Sequence, residues 1–107
     1  MQRTKEQIRK AIFGKLTGLR RKLNAHGIPC VYARSVLSHE DGDNSFKITY
    51  EGGGDNGETT LLPKLTLRTG QAVENFDDSN FEHGLARVKE LFKAQKGHTE
   101  AGPSPAR

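Results

Sequence analysis

The residues best equipped for chemistry are the cations at the start of the chain. Between Met1 and Arg34 stand nine Lys/Arg (Arg3, Lys5, Arg9, Lys10, Lys15, Arg20, Arg21, Lys22 and Arg34) and a single acid, Glu6. Guanidinium and ammonium groups at this density suit phosphate, because each one that meets a phosphate neutralises its charge and releases a counterion. Arginine adds a planar fork that pairs bidentately with phosphate or guanine. From Ser35 to His83 the balance reverses, with Lys47, Lys64 and Arg68 facing ten Asp/Glu, and from Gly84 to Arg107 five cations face two acids. The formal net charge of +4 therefore conceals a strong separation of sign. Such sorting predicts an anionic partner for the first segment, or an acidic surface on the same molecule or on a second copy.

Other groupings carry less. Asp41, Asp43 and Ser45 follow the two-residue rhythm of a calcium loop, but the glycine and bidentate Glu that such a loop needs are replaced by Phe46 and Gly52. The glycine-rich run 52–57 lacks the Lys-Ser/Thr of a phosphate loop, and Asp55 and Glu58 would repel a phosphate. His26, His39, His83 and His98 are scattered, and the lone Cys30 is not at zinc-site spacing from any of them. Glu82 beside His83 would need a nucleophile from another element to act as acid or base, whereas it suits helix capping. The expectation is a non-enzymatic protein with no metal and no cofactor. One cysteine excludes an internal disulfide framework and reads as a small core residue in a reducing, cytoplasmic setting. No stretch approaches the roughly 18 to 20 apolar residues of a membrane span, so no membrane partner is expected.

The cations need an element to carry them. Thr4 and Gln7 form a capping box, and Ile8, Ile12, Leu16, Leu19 and Leu23 recur at helical steps that keep them within about 80° of arc. Gly27 at the left-handed end position, Ile28 after it and Pro29 stop the helix near His26. Opposite the apolar stripe lie Arg3, Lys10 and Arg21, with Lys15 and Lys22 on one flank and Arg9 and Arg20 on the other. Gly14 and Gly18 share an outer face. They open a shallow notch for close approach, or they kink, fray or divide the helix.

Three strands follow, at Cys30 to Leu37, Ser45 to Glu51 and Thr59 to Arg68, with turns at residues 39–44 and 52–57. Phe46, Ile48 and Tyr50 alternate with Lys47, Thr49 and Glu51, so one sheet face is buried and the other wet. Pro63 places the third strand at an edge or at a bulge. After Gly70 the chain is irregular, with Val73 and Phe76 tucked inward. Ser79 and Glu82 then cap a second helix, whose stripe is Phe81, Leu85, Val88, Leu91 and Phe92 and which stops at Gly97. The expected architecture is one α+β domain over residues 1–96, α-β-β-β-α, a three-stranded antiparallel meander covered on one face by two helices, with a disordered tail over 97–107.

The order α-β-β-β-α is also that of the double-stranded-RNA-binding domain. That fold opens its last helix with a phosphate-gripping basic cluster, whereas Asp77, Asp78 and Glu82 stand here, so the correspondence ends at topology. The function expected is a small nucleic-acid-binding accessory protein whose first helix lays Arg9, Lys10, Lys15, Arg20, Arg21 and Lys22 along the phosphates of DNA or RNA. The alternative is a protein-interaction module (inhibitor, adaptor or subunit) in which the basic helix and acidic loops meet complementary patches, including those of a second copy in a homodimer.

Overall fold

A computed structural model of the chain describes residues 4–52 and 60–101. The elements run α1 (Lys5–Ala25), β1 (Val31–Ala33), β2 (Val36–Asp41), β3 (Asn44–Gly52), β4 (Leu61–Thr69), β5 (Ala72–Phe76), a 3₁₀ turn (Asp78–Asn80) and α2 (Phe81–Ala101). The class is α+β, and the strands form one antiparallel sheet in the order β1-β2-β3-β4-β5, a meander in which each strand pairs with the next.

Both ends of α1 follow from local sequence. Thr4 accepts from the Gln7 backbone N–H at 3.1 Å, and the Gln7 side chain accepts from the Thr4 N–H at 2.9 Å. At the other end Gly27 takes φ +86°, its N–H reaches the Asn24 carbonyl, and the Ile28 N–H reaches the Leu23 carbonyl at 2.9 Å. These are the two bonds of a Schellman stop. The helix is continuous through Gly14 and Gly18, so they do not divide it. Leu16, Leu19 and Leu23 are buried, while Ile8 and Ile12 are only half-buried.

The sheet has two more strands than expected. The segment Cys30 to Leu37 is not one strand, because the chain reverses at Arg34 and Ser35, both at positive φ (53° and 61°). Two left-handed residues in succession make the tight hairpin turn whose twist matches the flanking strands. The sequence hides it, since neither position carries the usual Gly or Asn. The acidic stretch expected as a turn is largely strand: β2 continues through Asp41, and only Gly42 and Asp43 turn. The stretch after Gly70 is not irregular either. Gly70 at φ +66° lets the chain fold back, and Ala72–Phe76 pairs with Leu65–Thr69 as β5. Val73 points outward at 52% exposure instead of into the core, while Phe76 is buried.

Pro63 lies in β4, which is inside the sheet, opposite Tyr50 of β3. The missing N–H is tolerated because β5 pairing ends at Leu65, which leaves this stretch of β4 open on that side. The helix start expected from Ser79 and Glu82 is displaced. Asp77 accepts from the Ser79 N–H at 2.9 Å and the Ser79 hydroxyl at 2.6 Å, and the Asp77 N–H donates to the Asn80 side chain at 2.8 Å. The two bonds from Ser79 hold the Asp77 carboxyl below its ordinary pKa, the Ser79 hydroxyl having the largest effect. The helix α2 also runs past Gly97 to Ala101, since one interior glycine costs only about 1 kcal/mol and no proline intervenes. The rest of the expected tail, 102–107, and the glycine-rich residues 53–57 lie outside the described residues.

One core joins the layers. Phe46, Ile48, Leu65 and Leu67 project from one sheet face into Leu16, Leu19 and Leu23 of α1 and Phe81, Leu85, Val88 and Phe92 of α2. Gly84 marks the closest approach of α2: a Cβ there would stand 2.6 Å from Leu65 Cδ2 and 2.7 Å from Phe76 Cγ. Only glycine fits without displacing one of them. Among the described residues no helix covers the opposite sheet face.

Candidate nucleic-acid interface

The cations of α1 stand on the solvent side of this frame. Arg9, Lys10, Lys15, Arg20, Arg21 and Lys22 are all exposed. Lys10 lies 4.0 Å from Glu6 one turn earlier, a contact between two open side chains that contributes little. None of the six pairs with any other carboxylate among the described residues. The second ion pair found there, Arg87 with Glu74 at 2.8 Å, ties α2 to β5 on another part of the molecule.

The six do not make one flat patch. Lys10 and Arg21 occupy the crest of the helix, where Gly14 and Gly18 lie close by with open space above both. Lys15 and Lys22 face α2 across a groove of about 400 Å³, lined also by Tyr50, Asp78, Phe81 and Glu82. Lys15 Nζ sits 5.4 Å from the Tyr50 ring centroid, and burial, with the nearby Glu82, raises the Tyr50 phenol pKa. The carboxylates of Asp78 and Glu82 make these two lysines the less favourable phosphate ligands. Arg9 and Arg20 lie on the other flank, toward β1, and Arg20 is near enough to Cys30 to act on its thiol.

A residue outside the expected set stands on that flank. Phe13, 53% exposed, meets Tyr32 of β1 edge to face, with ring centroids 5.2 Å apart. The pair floors a depression of about 390 Å³ whose remaining walls are Glu6, Arg9 and Lys10. The helical wheel carried the signal, because Phe13 falls outside the apolar stripe, where burial does not explain an aromatic.

The remaining candidates are packed or hydrogen-bonded within the fold. Cys30 is buried and donates toward the Ile28 carbonyl at 3.5 Å. Burial pushes its thiol up to about 11 against the lesser pull of Arg20. His39 packs at an angle against Phe46 and edge to face with Phe92, His83 packs at an angle against Phe76, and His26 Nδ1 donates to the Lys22 carbonyl at 2.9 Å. Among the described residues no cluster of His, Cys, Asp or Glu is arranged to hold a metal, and no helix is long and apolar enough to cross a membrane.

The three cations of the acidic segment also come together. Lys47 and Thr66 are paired across β3 and β4, with Lys64 and Arg68 two positions either side of Thr66, so all three lie on the uncovered sheet face. Glu40 and Glu51 share that face and dilute its charge. No family model, curated protein or solved structure matches the chain.

Proposed function

We propose that the protein is a small, non-enzymatic nucleic-acid-binding accessory factor that grips phosphate backbone through α1. The observation that supports this reading is the exposure of its cations: among the described residues the contact of Lys10 with Glu6 is the one ion pair any of the six makes, so most of their charge faces water. Arg9, Arg20, Arg21 and Lys10 are the principal contacts, with Lys15 and Lys22 contributing from the groove. Contacts of this kind position a protein on a polyanion and read no sequence. A cytoplasmic location belongs to the same reading, since an unpaired thiol and a nucleic-acid partner both suit a reducing compartment.

The test is a titration of generic labelled DNA and RNA across a salt series. Affinity falls with salt at a log–log slope of about −3 to −5 for four to six phosphate contacts, and replacing Arg9, Arg20 and Arg21 by Ala flattens it by about 2 to 3. No binding at low salt would remove the proposal.

A second reading rests on the hairpin between β2 and β3, where exposed Glu40, Asp41 and Asp43 form no ion pair among the described residues. Carboxylates there complement α1 of a second copy. Light scattering over a range of concentrations detects such a dimer, and a strict monomer discards it.

A further inference from the structure

We infer that the Phe13 and Tyr32 pair is a stacking platform for one unpaired base, so that the nucleic acid held by α1 is single-stranded. The inference rests on the phosphate-binding reading of α1 and names its ligand class.

Three observations converge on this flank. Phe13 is half open to water on a helix whose other large apolar residues face the sheet, so much of its ring is left for an outside partner. Its ring is already oriented, because the edge-to-face contact with Tyr32 at 5.2 Å fixes its direction, and Tyr32 is itself half-buried in the edge strand β1. A pre-set aromatic surface binds at a lower entropic cost than a free one. The walls supply the rest: Arg9 and Lys10 stand one helical turn before Phe13 and flank the depression with positive charge, where phosphates on either side of a stacked base would run.

Glu6, the remaining wall, opposes phosphate but accepts from the exocyclic amino group of a base. A mixed wall of two cations and one acceptor around an aromatic floor suits a nucleotide better than a bare polyanion.

The position also argues against a duplex. In paired DNA or RNA the base faces are buried in the stack, and a helix lying in a groove meets it with its crest. The crest of α1 carries Lys10, Arg21, Gly14 and Gly18. Phe13 lies to one side, against β1, where only a strand with its bases turned outward reaches it.

Fluorescence anisotropy with three labelled oligonucleotides of equal length tests this at one salt concentration: an ordinary single strand, the same strand made entirely abasic, and a duplex. Stacking of one base strengthens binding of the ordinary strand over the abasic strand by about tenfold. Phe13→Ala removes that gap while leaving the affinity for the abasic strand and its salt slope unchanged, and Phe13→Tyr restores it. Circular dichroism confirms that both variants keep the fold. Equal affinity of the wild type for ordinary and abasic strands, unaltered single-strand binding by Phe13→Ala, or a duplex bound as tightly as the single strand overturns the inference and leaves the phosphate grip of α1 standing. Failure of the wild type to bind any of the three at low salt overturns both.

Discussion

Cys30 shows what burial does to a single functional group. Its thiol is held neutral up to about 11, above the ordinary 9.0, because the surrounding core solvates a thiolate poorly. Two outcomes follow. At pH 8 the folded protein resists thiol reagents, and unfolding in urea exposes the group to them. Stability, undisturbed by this group below about 9, declines as pH climbs from there toward 11, because in that window the unfolded chain gives up the proton while the folded one keeps it. Urea melts at both ends of the window check this against Cys30→Ala, whose stability lacks this component of the decline. Much at this scale was legible in the sequence. Cys30 as core, Leu16, Leu19 and Leu23 as the buried stripe, and the six exposed cations all follow from type and spacing. The exposure of Phe13 is legible on the helical wheel, but its contact with Tyr32 is not, because that depends on how the helix lies over the sheet.

At the scale of elements, α1 is legible in the sequence, whereas the bounds of α2 and the reversal inside the first expected strand are not. The Thr4 and Gln7 box and the Gly27 stop are local hydrogen-bond patterns with fixed residue preferences, so α1 is legible to within a residue at either end. The reversal at Arg34 and Ser35 uses residues without a left-handed preference, and it is held by the pairing of β1 with β2. The strand β5 escaped notice for a related reason: apart from Phe76 its residues are exposed, so it shows no alternation of apolar and polar. Gly14 and Gly18 give a test at this scale. Each Cβ would enter open space, so replacing both by Ala stabilises the protein by about 1 kcal/mol per site or somewhat less. If a phosphate strand passes close over the crest, the same double variant binds nucleic acid several-fold more weakly despite its higher melting temperature. Unchanged affinity assigns the two glycines no part in contact.

Across the whole molecule, the two faces of the sheet separate two sources of positive charge. One carries α1 with its ring of cations, and the other carries Lys47, Lys64 and Arg68 among Glu40 and Glu51. Two triple variants to Ala, one at Arg9, Arg20 and Arg21 and the other at Lys47, Lys64 and Arg68, alter net charge equally. A response to net charge alone treats them alike. A grip localised on α1 loses about 10- to 100-fold affinity at low salt in the first variant and little in the second, read by the same anisotropy titration. The sorting of charge along the sequence indicated a charged surface, but not that the three cations of the acidic segment share a face. That follows only from the register of β3 against β4.

The meander has a consequence for how the molecule comes into being. Each strand's partner is its immediate neighbour in the chain, so the sheet can grow in the order of synthesis, with α1 available to dock on β1 to β3 before α2 leaves the ribosome. Loop closure of this short range is inexpensive in entropy and favours rapid assembly. The helix α2 comes after all five strands in the chain, and its Gly84 must settle against Leu65 and Phe76 to seal the half of the core that α1 leaves open.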